Sequence, residues 1–145
     1  MHINHQNVLN KIITGNTSVN LKIQDENGLT VGEMFPLNIN HLNKPEIIKL
    51  LTDWRNQNRE YFLSQFVATP ERTANWMKNV LFKKNDQLLF LIKTDEKLVG
   101  HFGFKNLTAN DVLLDNALRG LRGGHPKLFT FAGKELVNWL IQMFS

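Results

Sequence analysis

The stretch Arg119-Gly-Leu-Arg-Gly-Gly-His-Pro-Lys127 decides the fold, because it joins a predicted strand to a predicted helix. The strand pattern before it covers Asp111–Leu118, and the helical pattern after it covers Leu128–Phe144. Glycines let backbone N–H groups converge on an anion, and the start of a helix adds unpaired donors and a positive partial charge. The sequence therefore predicts a site for a phosphate-bearing ligand. The alternative is a Gly-rich turn that binds nothing.

The charged residues of this stretch favour the same prediction, and its spacing excludes two common motifs. Arg119, Arg122 and Lys127 add full positive charges, and arginine can hold a phosphate through two parallel hydrogen bonds. The P-loop pattern G-x-x-x-x-G-K-[ST] is absent, so a nucleoside triphosphatase is disfavoured. The pattern G-x-G-x-x-G is also absent, so a nicotinamide or flavin fold is disfavoured.

Upstream of the loop, hydrophobic periodicity and turn signals predict two strands, two helices and two more strands. In chain order these elements begin at Val19, Leu29, Pro45, Pro70, Leu88 and Leu98. Three consecutive strands with short turns favour an antiparallel meander in an α+β fold, not a doubly wound sheet. We expect residues 1–18 to be an N-terminal arm, either weakly ordered or a short helix, and residues 19–145 to be one domain.

Composition excludes several classes of site. The 145 residues include no cysteine, so disulfides and thiolate metal sites are excluded. His2, His5 and His41 show no metal-ligand spacing, so we predict no metal and expect them at the surface. The net charge of +4 permits an anionic ligand, but the lysines are spread along the chain, so nucleic-acid binding is not expected. Neither a long apolar run nor a signal-peptide pattern is present, so we expect no membrane association and a cytoplasmic location.

Four segments carry a resemblance to a known family. They are Leu51–Arg59 with its Trp-Arg-Asn motif, Thr69–Met77, Leu88–Leu91 with Val99–Phe104, and Leu114–Lys127. In this order and spacing they resemble the GNAT superfamily of N-acetyltransferases, nearest to the branch that acetylates ribosomal-protein N-termini, antibiotics and amino sugars. The resemblance implies a mixed sheet with an antiparallel central meander, two helices after the first strands and one helix after the Gly-rich loop.

The resemblance also implies acetyl-CoA as the cofactor and assigns residues to it. Three strand residues would flank the thioester: Asn116, Ala117 and Leu118. Six loop residues would surround the pyrophosphate: Arg119, Gly120, Arg122, Gly123, Gly124 and His125. The glycines fall later than in the family's usual Arg/Gln-x-x-Gly-x-Gly/Ala spacing, which we interpret as a variant of that loop.

Acetyl transfer to an amine needs a base that deprotonates the amine, groups that polarise the thioester carbonyl, and a site that holds the two reactants together. His101 and Asp115 lie on adjacent predicted strands and are the catalytic candidates. The alternative for His101 is a partly buried strand residue with a satisfied ring, and for Asp115 a bulge or turn partner. The resemblance places Arg55, Asn56 and Phe62 at the acceptor pocket.

The chain ends at Ser145, whereas the family continues with a strand, a helix bearing a tyrosine and a hairpin. That tyrosine often protonates the leaving thiolate, and the one tyrosine here is Tyr61. We therefore expect a C-terminally truncated domain with an exposed edge at Asp111–Leu118, which a second copy would cover in a homodimer. The expected function is acetylation of a small-molecule primary amine, such as an amino sugar. The alternatives are a catalytically impaired CoA-binding or oligomerisation domain and, less favoured, a nucleic-acid-binding domain.

Overall fold

Five antiparallel strands form one sheet in chain order in the computed structural model, which describes residues 4–62 and 66–144. The strands are Leu21–Gln24 (β1), Thr30–Pro36 (β2), Leu88–Thr94 (β3), Lys97–Lys105 (β4) and Leu113–Arg119 (β5). The predicted meander is confirmed. Every pair is antiparallel, whereas the resemblance implied a mixed sheet. Tight turns impose this direction on β1 with β2 and on β3 with β4.

In the described residues four α-helices pack against the sheet, which agrees with the predicted α+β class. They are His5–Ile13 (α1), Pro45–Gln57 (α2), Pro70–Trp76 (α3) and Leu128–Phe144 (α4). Short 3-10 turns cover Ile39–Asn43 and Arg59–Tyr61, and a π-helical turn at Met77–Leu81 continues α3. The bounds of α4 are those predicted, because a long apolar periodicity defines them. No helix in the described part of the chain combines the length and the apolarity that crossing a bilayer requires.

The central strand β3 is buried on both faces, which explains its unbroken apolar sequence. Its even-numbered residues face a core shared with α1 and α4, in which Trp139 meets the rings of Phe90 and Phe104. Its odd-numbered residues Leu89 and Leu91 face a second core shared with α2 and α3. The sheet is therefore the middle of three layers.

The N-terminal region contains a helix rather than a weakly ordered stretch. The side chain of Asn4 caps α1 by accepting hydrogen bonds from the amides of Gln6 and Asn7. Leu9, Ile12 and Ile13 of α1 are buried in the same core as α4. Their helical spacing places all three on one face, which the sheet covers.

One surface prediction is wrong. His41 is buried, and its Nδ1 accepts the Asn38 amide at 2.8 Å in a reciprocal cap of the first 3-10 turn. The capping bond satisfies one ring nitrogen, which is why a histidine can be buried here. His5 is partly exposed beside Phe144, and His2 lies outside the described residues.

The packing of α4 yields a stability prediction with a matched control on the same helix. Leu136 is fully buried, whereas its neighbour Val137 is 37% exposed. Leu136→Ala should lower the free energy of unfolding by about 2–5 kcal/mol, because it leaves a cavity between α4 and the sheet. Val137→Ala should cost less than about 1 kcal/mol. Urea denaturation measures both, and equal losses would contradict the placement of this helix.

Candidate functional site

A cavity of about 130 Å³ lies between the sheet and the layer formed by α2 and α3. Its described lining comes from both helices, from the sheet and from the segment between the helices. The lining residues are Leu51, Arg55, Phe62, Phe66, Ala68, Arg72, Thr73, Trp76, Leu89, His101, Asn116 and Leu118. Most of them are apolar or aromatic, and a few polar groups face the space, as in small-molecule sites.

His101 provides the cavity with a nitrogen that can accept a proton. The residue lies on β4 and is 8% exposed, and its Nδ1 is 2.6 Å from the carbonyl oxygen of Asn116. Because a carbonyl oxygen only accepts, Nδ1 carries the proton and donates, which leaves the lone pair of the neutral ring on Nε2. Burial lowers the pKa of His101, and the bond to Asn116 opposes that shift. The ring is therefore neutral and basic at Nε2 near neutral pH.

A β-bulge in β5 brings the Asn116 carbonyl to this ring. His101 pairs with Leu118 and Gly103 pairs with Asp115, so Asn116 and Ala117 together stand opposite one residue of β4. Asn116 has a positive φ of 56°, a conformation that asparagine tolerates better than most residues. Bulges redirect side chains and backbone groups beside active sites. Sequence reasoning considered a bulge here only as the alternative role of Asp115, and the further signal for its position was an asparagine inside a strand.

The structure does not bring the two catalytic candidates together. Asp115 forms an ion pair with Lys105 at 3.2 Å and lies outside the described lining of the cavity. His101 instead pairs with the backbone of Asn116. Asp115 lies next to the bulge, which agrees with the alternative prediction that it is a bulge or turn partner rather than a catalytic residue.

The three expected acceptor residues have different environments. The guanidinium of Arg55 lies 3.7 Å from the ring centre of Phe62, and both side chains line the cavity. Burial lowers the pKa of Arg55. Asn56 is outside the described lining, and its side-chain amide holds the backbone N–H and C=O of Ala68 at 2.7 and 3.0 Å. Asn56 therefore fixes the segment that follows α2 rather than presenting its amide to the cavity.

Phe66, Arg72 and Trp76 are among the lining residues that sequence reasoning missed. Arg72 and Trp76 are four residues apart on α3, so they share one helix face. That spacing, next to the expected acceptor residues, was the available signal. Phe66 carries no comparable signal, because it lies in an irregular segment whose course depends on tertiary contacts.

The first half of the Gly-rich loop is tied to the sheet. The amides of Gly120 and Leu121 both donate to the carbonyl of Val99. The Arg119 side chain donates to the carbonyls of Leu121 and Gly123. The resemblance assigned Arg119 to a pyrophosphate. In the structure its side chain instead stabilises the loop through hydrogen bonds to the loop's own backbone.

The second half of the loop keeps donors for a ligand. Among the described residues, no protein acceptor takes the amides of Arg122, Gly123, Gly124 and His125. Gly123 and Gly124 have positive φ values of 134° and 72°, which explains two adjacent glycines. His125 Nδ1 accepts the amide of Lys127 at 3.0 Å, so this side chain caps the start of α4.

Trp54 connects the loop to His101. A Cβ atom at Gly120 would collide with the indole of Trp54, so the loop backbone lies directly on that ring. The same indole lies 6.2 Å, centre to centre, from the His101 ring. Trp54 is 1% exposed, and its position fixes the spacing between the loop and the cavity.

The buried histidines predict how stability depends on pH. Burial lowers the pKa of both His41 and His101 in the folded chain, so below the ordinary histidine pKa of about 6.5 the unfolded chain binds more protons. The free energy of unfolding should therefore fall as pH decreases from 7.5 to 5.5, as urea denaturation can measure. The double variant His41→Asn/His101→Gln should lose less stability over this range. If the free energy of unfolding changed equally with pH in wild type and variant, the lowered pKa of these two histidines would be contradicted.

Comparisons with known proteins support the fold. No protein-family model matches the chain, and the comparison with curated proteins gave no match. The chain is similar to a solved structure of an acetyl transferase from Salmonella typhimurium, described as modifying the N-terminal serine of protein L7/L12 of the 50S ribosomal subunit. The TM-score is 0.58 at 13% identity over 86% of this chain and 69% of that chain. The chain therefore has the fold of that acetyltransferase, as the resemblance to the GNAT superfamily implied.

Proposed function

We propose that this chain belongs to the GNAT superfamily and transfers an acetyl group from acetyl-CoA to a primary amine. One arrangement carries the proposal: β5 runs from Asn116, whose carbonyl holds the neutral ring of His101 at the cavity, directly into a loop with unused amide donors. The fold shared with an acetyltransferase supports it. The branch of the superfamily, the truncation and the cytoplasmic location stay predictions.

The loop has suitable chemistry for the pyrophosphate of acetyl-CoA. Four unused amides, the start of a long helix and the exposed Arg122 side chain offer donors and positive charge to an anion. A side chain at Gly124 would meet Thr94, so this glycine keeps the loop close to β3. The cofactor's arm would follow β5, whose Ala117 is exposed. When bound, acetyl-CoA supplies an acetyl group activated as a thioester.

His101 is the proposed general base. Nε2 accepts a proton from the protonated amine, and the Nδ1–H bond to the Asn116 carbonyl holds the ring and stabilises its cationic form. Transfer of the acetyl group to the neutral amine would form the C–N bond and free a thiolate that needs one proton, and the attacking nitrogen would release its second proton to solvent. Because Tyr61 is 77% exposed and outside the described lining, we propose that the protonated His101 returns its proton to that thiolate. Burial favours that return, because it lowers the pKa of the ring.

The proposed acceptor is a small-molecule primary amine, with an amino sugar as one class. An alternative is a domain that binds CoA or a second copy without turnover. The observation behind it is the edge strand β5, where Leu113 and Leu114 are 51% and 37% exposed. A second copy on that edge is a proposal that sedimentation would test.

Cofactor binding is tested by the melting temperature. Millimolar CoA should raise it, because a ligand that binds the folded state alone stabilises by RT ln(1 + [L]/Kd). Arg122→Ala should reduce the shift by removing a positive charge from the loop, whereas Arg59→Ala, an exposed arginine outside the loop and the described lining, should not. If millimolar CoA left the melting temperature of the wild-type chain unchanged, the proposed cofactor binding would be contradicted.

The role of His101 is tested by turnover. With CoA binding retained, His101→Gln should lower kcat/KM by about 10²–10⁴-fold, the usual contribution of a general base. Release of free thiol from acetyl-CoA across a panel of amines measures it. CoA binding without thiol release for any amine in wild type would favour the binding-domain alternative. A variant as active as wild type would remove His101 from the mechanism.

A further inference from the structure

The cavity holds two arginine side chains and no carboxylate among its described lining residues. Arg55 projects from α2 and Arg72 from α3, and both line the same space as His101. The nearby carboxylates Glu60 and Glu71 are exposed and lie outside that lining. The described wall of the cavity is therefore positively charged near the proposed base.

Both guanidinium groups lie near the ring of Phe66. Each lies 4.8 Å from the centre of that ring, and Arg55 also lies 3.7 Å from the ring centre of Phe62. Contact with aromatic rings restricts the positions of both guanidinium groups, which keep their positive charge. Burial lowers the pKa of Arg55, because partial removal from water disfavours the charged form of the guanidinium.

This charge pattern discriminates between kinds of amine. A polyamine or a polycationic antibiotic brings further positive charges into the cavity, where the two arginines repel them. The aromatic faces of Phe62 and Phe66 already hold guanidinium groups, so they are not open as a cage for a second ammonium. An amine with a carboxylate or phosphate would pair its anion with an arginine fork.

We propose that the acceptor is a primary amine bearing an anionic group, a carboxylate or a phosphate, which Arg72 binds with Arg55 beside it. The proposal rests on the proposed function and specifies its acceptor. Arg72 is the exposed member of the pair, so it meets the ligand at the solvent side of the cavity. The apolar lining, including Trp76 and Leu118, contacts the rest of the molecule.

Calorimetric titration of matched amines into the whole chain tests the proposal independently of turnover. Glucosamine 6-phosphate is compared with glucosamine, and phenylalanine with phenylalaninamide, so each pair differs in the anion. The anionic member should bind at least tenfold more tightly in one pair, and that pair identifies phosphate or carboxylate as the group recognised. The preference should weaken with added salt, because charge pairing near the surface is screened.

Two variants assign the preference to its residue. Arg72→Gln should weaken binding of the anionic amine about tenfold, as expected for a lost charge-assisted hydrogen bond, and leave the neutral amine unchanged. Lys78→Gln removes the same charge from an exposed position just beyond α3, outside the described lining, and should change neither. Where turnover is measurable, Arg72→Gln should raise KM for the anionic amine with little change in kcat.

Three results would overturn the inference. They are equal binding of both members in both pairs, tighter binding of spermidine than of either anionic amine, and an Arg72→Gln variant that keeps the preference. None of these bears on the proposed function, which fails instead if CoA does not bind or no amine releases thiol. Detectable turnover of neutral amines alone would retain the acetyltransferase and reject the anionic acceptor.

Discussion

The hydrogen bond from the His101 ring to the Asn116 carbonyl sets the chemistry that this fold can offer. It exists because β5 bulges at Asn116 and Ala117, which turns a backbone carbonyl away from regular pairing and toward a side chain of β4. The bond fixes the tautomer of the ring, so Nε2 is the basic nitrogen. Without the bulge, His101 would be an ordinary buried strand residue.

The side chain of Trp54 lies between His101 and the Gly-rich loop. The indole packs under Gly120 on one side and near His101 on the other, so a single side chain of α2 spaces the two parts of the site. Close packing makes such spacing rigid, because a change of even one methylene is felt by its neighbours. Bracing of the loop by Arg119 adds a second constraint.

Positive charge is used differently in the loop and in the cavity. In the loop it comes from backbone amides, a helix start and the exposed Arg122, a combination suited to a flexible diphosphate. In the cavity it comes from Arg55 and Arg72 stacked on aromatic rings, which suits one oriented anion. The proposed cofactor and the proposed acceptor therefore both carry an anionic group toward a basic protein.

The sequence by itself determined the element order, the meander, the bounds of α4 and the Gly-rich loop, since these depend on local periodicity and turn chemistry. It also selected His101, Arg55 and Phe62, which do line the cavity. Tertiary structure decided their partners: Asn116 rather than Asp115 for His101, and Ala68 for Asn56. It also decided that Arg119 braces the loop and that Arg72 faces the cavity. The bulge in β5, the hydrogen bonds of Arg119 within the loop and the ion pair of Asp115 with Lys105 depend on which strands and helices pack together. Local sequence patterns do not determine that packing.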